Sequence, residues 1–211
     1  MPLPNRVDPF GALQAVPARG LFFGNRGGRF HRDDLTLGHR RWASKQWICC
    51  VLAFKARRRA VWRTGYTELF FLDEPTALAA GHRPCFECRR ADATAFAAAW
   101  ARAKELHAPP RAPAMDTVLH AERLDPAPRR VRLAELPDGA FVRLLDDVDA
   151  FALRDGCLWR WSPAGYAAAH IARRSTEVVL VTPPSIVAAL AAGYAPHWHP
   201  SAALAPMTVQ A

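Results

Sequence analysis

The chain has 211 residues, of which 51% are apolar, and it carries a formal net charge of +9. It has no run of the roughly 18 apolar residues that a membrane-spanning helix requires, which argues against an integral membrane protein. Its N-terminus lacks the apolar segment of a secretion signal, and its five cysteines are too few, and odd in number, for a disulfide framework. We therefore predict a cytoplasmic protein with reduced thiols and no membrane partner.

The positive charge is confined to the N-terminal third of the sequence. Residues 1–65 contain 13 Lys and Arg against 3 Asp and Glu, residues 66–136 contain 10 of each kind, and residues 137–211 contain 5 basic and 6 acidic residues. A basic segment of this kind is typical of proteins that bind polyanions, and it predicts a nucleic-acid partner. The alternative is compositional drift in a chain rich in alanine and arginine.

The first 65 residues contain an arm, a glycine-rich turn and a buried strand. Residues 1–20 are rich in proline and predict an irregular arm, and the stretch LFFGNRGGRFHRDD then places Arg26 in a tight turn. That turn is either a hairpin connection or a cradle for an anion. The apolar run QWICCVLAF, residues 46–54, predicts a buried strand with three consecutive arginines at its exposed end.

A strand, a short helix and a cysteine pair follow in close succession. The stretch YTELFFL, residues 66–72, predicts a strand, and DEPTALAAG predicts a helix that Asp73 or Glu74 caps and Gly81 ends. The next residues, HRPCFECRR, contain Cys-x-x-Cys, a spacing that typically binds a metal ion. The stretch ADATAFAAAWARAKELH predicts a longer helix over residues 91–107.

The second half of the sequence consists of shorter pieces. AFVRLL, CLWRW and EVVLV predict strands, and TPPSIVAALAAG predicts another short helix. Strands joined by loops, with few helices, predict an α+β fold. The predicted regions are the arm at 1–20, a basic zinc-binding module with its following helix at 21–108, and a mostly β region at 115–211. The last region either packs with the module as one unit or folds by itself.

Residues 66–90, YTELFFLDEPTALAAGHRPCFECRR, resemble the metal-binding domain of the Ada family, DNA-repair proteins that remove methyl groups. The shared pattern is an aromatic strand, a capped helix ending in Ala-Gly, and Arg-Pro-Cys-x-x-Cys. The resemblance implies a small α/β zinc module, DNA rather than RNA as the partner, and Cys85 and Cys88 as two of four thiolate ligands. The family's other ligand pair, Cys-x-x-x-Cys, lies about 27 residues upstream, where this chain has AFKARRR and no cysteine.

Several residues are candidates for the missing ligands. Cys49 and Cys50 are the nearest upstream thiols, and because adjacent strand residues point to opposite faces, one of them at most reaches the site. The stretch ALAAGYAPHWHP echoes ALAAGHRPCFEC and places His197 where the first half has Cys85.

His120 is a third candidate, because His120-Ala121-Glu122 with Pro-Cys-x-x-Cys contains the elements of a zinc deaminase site. In that arrangement one His and two Cys bind zinc, and the glutamate, here Glu122, moves the proton. The order of the two motifs is reversed in this chain, so a permuted fold would be needed. A solvated helical His-Ala-Glu is the alternative.

Two functions from different classes remain. The first is a zinc-binding protein of DNA repair or DNA processing, in which a closed four-ligand site is structural and arginines contact phosphates. The arginines proposed for those contacts are Arg26, Arg57, Arg58, Arg59, Arg89 and Arg90. The second is a zinc-dependent hydrolase or deaminase that acts on nucleic acid or a nucleotide. Its open Cys2His site would leave one position for water, and Glu122 or Glu87 would move the proton.

Overall fold

The computed structural model describes residues 1–57, 60–63, 65–168 and 175–203, and in these residues it has four α-helices and two six-stranded sheets. The predicted α+β class is confirmed. The helices are α1 (Glu74–Ala79), α2 (Arg90–Ala103), α3 (Ala112–Leu124) and α4 (Pro184–Ala191). None of these helices is long and apolar enough to span a lipid bilayer.

The first sheet is built from the N-terminal part of the chain. Its strands are β1 (Arg6–Val7), β2 (Leu13–Gln14), β3 (Phe22–Arg26), β4 (Trp47–Val51), β5 (Leu69–Phe71) and β6 (Arg83–Pro84), in the order β2-β1-β5-β3-β4-β6. The segment 1–20, predicted as an irregular arm, contributes β1 and β2, and β1 runs parallel to β5. β3 is antiparallel to β4 and β5, and Phe23 lies opposite both Cys50 and Phe70.

The second sheet follows α3 and is antiparallel throughout. Its strands are β7 (Arg129–Arg132), β8 (Phe141–Leu144), β9 (Phe151–Arg154), β10 (Cys157–Ser162), β11 (Gly165–Ala168) and β12 (Glu177–Leu180), in the order β11-β10-β9-β8-β12-β7. Phe141, Trp159 and Tyr166 from this sheet pack against Leu72 and Ala79, which flank and end α1. This buried cluster joins the second sheet to the first half of the chain.

The longer helices form a separate apolar layer. On α2, Phe96 and Trp100 are four residues apart and therefore lie on one face, which packs against α4. Met115 of α3 and Ile186 of α4 complete the cluster, and both are fully buried. Burying a side chain of this size contributes roughly 1.5–3 kcal/mol to the free energy of folding.

Two consecutive buried carboxylates at the start of α1 connect distant parts of the chain. Asp73 caps the helix, since its side chain accepts a hydrogen bond from the backbone N–H of Thr76 at 3.0 Å. The same carboxylate accepts hydrogen bonds from the Tyr166 hydroxyl at 2.9 Å and from the backbone N–H of His199 at 3.1 Å. One carboxylate therefore binds the helix, the second sheet and the C-terminal segment together.

Glu74 makes a second set of connections. Its carboxylate accepts hydrogen bonds from Arg89 at 2.8 Å, from the Tyr194 hydroxyl at 2.6 Å and from the backbone N–H of His197 at 2.9 Å. The side chains of Glu74 and Arg89 are 0% and 1% exposed, so this ion pair is shielded from water. Its partners lie between 15 and 123 residues away along the chain.

We expect Glu74→Ala to lower the free energy of unfolding by about 3–5 kcal/mol, because it leaves the buried guanidinium of Arg89 without its buried partner. Urea unfolding followed by circular dichroism measures the change. The matched control is Glu177→Ala, which removes the exposed ion pair with Arg130 and should cost less than about 1 kcal/mol. Similar losses in the two variants would contradict the role assigned to Glu74.

A buried histidine makes stability depend on pH. His82 is 0% exposed, its Nε2 accepts a hydrogen bond from Arg26 Nε at 3.3 Å, and it packs against the rings of Trp47 and Phe71. Burial, and then the charges of Arg26 and Arg123, hold the pKa of His82 well below its ordinary value. In the unfolded chain, His82 therefore binds a proton below pH ~6.5, whereas in the folded chain it stays neutral to a lower pH.

We expect the free energy of unfolding to fall below pH ~6.5 by as much as about 1.4 kcal/mol per pH unit from this group alone. Urea unfolding at a series of pH values from about 7.5 to about 5.5, which spans the ordinary pKa of histidine, measures this dependence. The free energy of unfolding should change less with pH in His82→Gln than in the parent protein. The exposed histidine control is His107→Gln. Parallel slopes in His82→Gln and the parent protein would refute the assignment.

Candidate metal centre

Three cysteines from two parts of the first sheet meet at one point. The sulfur atoms of Cys50, Cys85 and Cys88 all lie within 4.8 Å of one another. Cys50 is on β4, and the other two lie in the turn between β6 and α2. β6 runs parallel to β4 and pairs Pro84 with Cys49, and the backbone N–H of Cys85 donates to the Cys49 carbonyl at 3.0 Å. The strand pairing thus brings the turn directly beside Cys50.

The turn itself has the hydrogen bonding of a metal knuckle. The backbone N–H of Glu87 points at the Cys85 sulfur at 3.4 Å, and the backbone N–H of Arg89 donates to the Cys85 carbonyl at 2.9 Å. N–H groups directed at a sulfur stabilise its thiolate form, which is the form that binds metals. Because Arg89 directly precedes α2, the second of these bonds connects the turn to the start of the helix.

Apolar and aromatic side chains enclose the three thiols. Phe23, Ile48, Tyr66 and Phe70 pack around the cluster. Cys50 and Cys85 are buried, whereas Cys88 is half-buried. A cavity of about 450 Å³ lies beside Cys85, and its lining includes Asn25, Tyr66, Arg83 and Glu87. The cluster therefore has a shielded side and a side that a ligand can approach.

The thiols share protons through hydrogen bonds. Hydrogen bonding from Cys50, and then from Cys88, lowers the pKa of Cys85. The same bonds, first to Cys85 and then to Cys88, raise the pKa of Cys50. A cation bound to the three sulfurs would replace these protons, because metal ions bind cysteine as thiolate.

The spacing of the sulfurs fits a tetrahedral ion. With metal–sulfur bonds of ~2.3 Å, as for zinc, a tetrahedral site holds its sulfurs about 3.8 Å apart. All three sulfurs lie within 4.8 Å of one another, which is compatible with that spacing. Among the residues that the structure describes, no further His, Cys, Asp or Glu joins the group. The cluster could therefore hold a metal ion by three protein ligands.

Cys49 lies on the other face of β4. Its sulfur receives a hydrogen bond from Arg89 Nη1 at 3.4 Å, and the side chain is 0% exposed. Burial raises the pKa of this thiol. The two adjacent cysteines thus point in opposite directions, as the alternation of a strand requires, and Cys50 is the one that faces the knuckle.

The other proposed site residues lie outside the cluster. His120 packs edge-on against Trp42, with ring centroids 5.7 Å apart. The ring of His197 lies 3.4 Å from a carboxylate oxygen of Asp92, measured from its Nε2. Glu122, proposed to move a proton at the metal, accepts hydrogen bonds from the backbone N–H and hydroxyl of Ser185 at the start of α4. His120, His197 and Glu122 are therefore not part of the three-cysteine cluster.

The arginines proposed to contact phosphates divide into two groups. Arg26 and Arg89 are 1% and 4% exposed, so their side chains belong to the interior. Arg57 and Arg90 are exposed, and Arg57 forms a 2.5 Å ion pair with Glu87 of the knuckle. The two remaining arginines, Arg58 and Arg59, lie outside the described residues.

One contact that supports the site has no signal in the sequence. Arg83, two residues before Cys85, forms a two-pronged ion pair with Asp116 of α3, with both bonds at 2.8 Å. The pair is almost fully buried and attaches the knuckle to a helix that follows 33 residues later in the chain. No local spacing links the two residues, so only the folded chain shows the contact.

The chain matches no protein-family model, no curated protein and no solved structure. The three-cysteine cluster is therefore interpreted from its own geometry.

We expect Cys50→Ser to reduce the metal content of the purified protein strongly, because a serine hydroxyl is a poor ligand for a thiolate-binding ion. Cys49→Ser, one residue away on the opposite face, should keep the metal content of the parent protein. Inductively coupled plasma mass spectrometry on the three proteins gives the answer. Equal metal content in the two variants, or none in the parent, would contradict a site at Cys50.

Proposed function

We propose that the chain is a zinc-binding protein that contacts DNA and acts in DNA repair or DNA processing in the cytoplasm. The observation that carries the proposal is the meeting of Cys50, Cys85 and Cys88 between a strand and a knuckle. Three thiols favour zinc over magnesium or calcium, which prefer oxygen ligands. Support for DNA comes from the resemblance of residues 66–90 to the Ada metal-binding domain and from the basic N-terminal third.

Zinc bound by Cys50, Cys85 and Cys88 would cross-link β4 to the turn before α2 and so stabilise the folded chain. Three thiolates outweigh the charge of Zn²⁺ by one unit, so the loaded cluster would be an anion. The exposed guanidinium of Arg57, paired with Glu87, lies beside this cluster. The fourth ligand of a tetrahedral zinc ion would not be one of these three cysteines.

Exposed cations provide the surface for a polyanion. Arg57 and Arg90 lie on either side of the knuckle in the sequence and are both exposed. The connection between β3 and β4 adds further exposed cations, which are Arg29, Arg32, Arg40, Arg41 and Lys45. A surface of this kind binds phosphates without reading the base sequence, and its affinity falls with salt. Arg26 and Arg89 are removed from this surface by their burial.

The second candidate function is a zinc-dependent hydrolase or deaminase. It is favoured by one observation, the finding of three rather than four ligands in the described residues, with a cavity of about 450 Å³ beside Cys85. The ligand set would be three cysteines instead of Cys2His, a set that zinc deaminases also use. Glu87 rather than Glu122 would then move the proton, because Glu87 lines that cavity.

The ligand shell separates the two functions. X-ray absorption spectroscopy on the zinc-loaded protein counts sulfur and lighter neighbours of the metal. Four protein ligands support a structural site, whereas three sulfurs and one exchangeable oxygen favour the enzyme.

We expect the double variant Arg57→Gln/Arg90→Gln to bind DNA more weakly and with less salt dependence than the parent protein. Each lost phosphate contact should make the slope of log K against log salt less negative by about 0.9 for duplex DNA. Fluorescence anisotropy of a labelled duplex over a salt series measures both quantities, and an RNA duplex of matching sequence tests the preference for DNA.

The matched control is Arg130→Gln, which removes an exposed arginine from the second sheet. It should leave the affinity and the slope unchanged. Absence of salt-dependent DNA binding by the parent protein, or equal effects of the double variant and the control, would refute the DNA contact.

A further inference from the structure

A second cavity, of about 570 Å³, is lined by an unusual number of arginines. It lies between the first sheet, the end of α3 and the second sheet. Five arginines line it, and we call it the arginine cleft; they are Arg26, Arg41, Arg123, Arg129 and Arg143. Cavities of this size accommodate small organic ligands.

The carboxylates of the arginine cleft do not balance this charge. Glu122 and Asp125 line the cavity as well. Glu122 is engaged by the backbone N–H and hydroxyl of Ser185, and Asp125 pairs with Arg129 at 2.6 Å. In the part of the chain that the structure describes, the other four arginines form no ion pair with a carboxylate. The cleft thus has an excess of positive charge.

Arg26 is the most deeply placed of these cations. It is 1% exposed, and its guanidinium donates to neutral acceptors only, which are the backbone carbonyls of Gly11 at 2.8 Å and Arg41 at 3.3 Å and the ring of His82. Burial, and then the charge of Arg123, lower the pKa of Arg26 to about 9. The charge of Asp8 opposes this shift, although the two groups form no direct ion pair in the described residues. Arg26 is still protonated at neutral pH, and a buried cation without a direct ion-pair partner is costly.

Arg123 contacts the same aromatic ring as Arg26. Its guanidinium carbon lies 4.2 Å from the centroid of Trp47, and that of Arg26 lies 4.0 Å from it. The Nε and Nη2 atoms of Arg123 are buried and have no hydrogen-bond partner among the described residues. Its side chain passes over Gly81, where an added Cβ would come within 2.6 Å of Arg123 Cδ. The absence of a side chain at position 81 therefore leaves room for this placement.

We propose that the arginine cleft binds a small molecule that bears a phosphate group. Arg26 and Arg123 present two neighbouring guanidinium groups, and the free donors of Arg123 match the oxygens of a phosphate. A phosphate dianion balances two cations, whereas a single carboxylate balances one. Trp42, which is half-buried, lines the same cavity and offers aromatic surface to a planar body of the ligand. The proposal depends neither on the metal nor on DNA.

Isothermal titration calorimetry with AMP, adenosine and inorganic pyrophosphate tests the site on the full-length protein. AMP and pyrophosphate should bind, and adenosine should bind much more weakly, because the phosphate makes the contacts with the arginines. Arg123→Gln should weaken AMP binding about tenfold or more, as expected when a charge-assisted bidentate contact is lost. Arg111→Gln, an exposed arginine outside the cavity lining, should bind AMP as the parent does.

Arg143→Gln provides a second variant in case Arg123→Gln fails to fold, since Arg143 is half-buried and donates only to backbone carbonyls. Weaker AMP binding in this variant supports the site. Absence of AMP and pyrophosphate binding by the parent protein, or equal binding by Arg123→Gln and Arg111→Gln, would overturn it. A loss of DNA affinity in Arg123→Gln without any AMP binding by the parent would show a nucleic-acid phosphate there instead, and would also overturn the proposal.

Discussion

The fold depends on the burial of two consecutive carboxylates, Asp73 and Glu74, at the start of one short helix. A buried carboxylate is tolerated only when hydrogen-bond donors surround it. Here the donors come from the second sheet, from the segment after α4 and from Arg89. The arrangement of the two halves is thus fixed by the need to satisfy these two groups, in addition to apolar packing.

The same network reaches the three-cysteine cluster through one arginine. Arg89 directly follows Cys88, donates to Glu74, and also donates to the sulfur of Cys49 behind β4. Its backbone N–H in turn bonds to the Cys85 carbonyl. The sequence predicts that Arg89 contacts a phosphate, but the structure shows that it links the buried carboxylate of Glu74 to the cysteine turn. Composition alone does not distinguish an arginine that is buried, such as Arg89, from one that is exposed, such as Arg90.

The sequence predicted the features that depend on local rules. A helix capped at Asp73 or Glu74, the turn at Gly81 and the strand around Cys50 all follow from neighbouring residues, and the structure assigns the cap to Asp73. Strand alternation limited the ligands to one of two adjacent cysteines. The sequence did not indicate which cysteine faces the knuckle, because both residues have the same local pattern. The partners of Arg83, Arg123 and Glu122 were also unpredictable, since each contact joins residues that only the folded chain brings together.

The long reach of the Asp73–Glu74 clamp has a consequence for synthesis of the protein. The carboxylates leave the ribosome well before their most distant donors, which lie 93 to 126 residues downstream. At ~5–20 residues per second, that interval corresponds to roughly 5–25 seconds of translation. During this time the nascent chain has Thr76 and Arg89 to bind the carboxylates, but not Tyr166, Tyr194 or the segment after α4. We therefore expect the two carboxylates to gain their full set of donors only after the segment that follows α4 has been made.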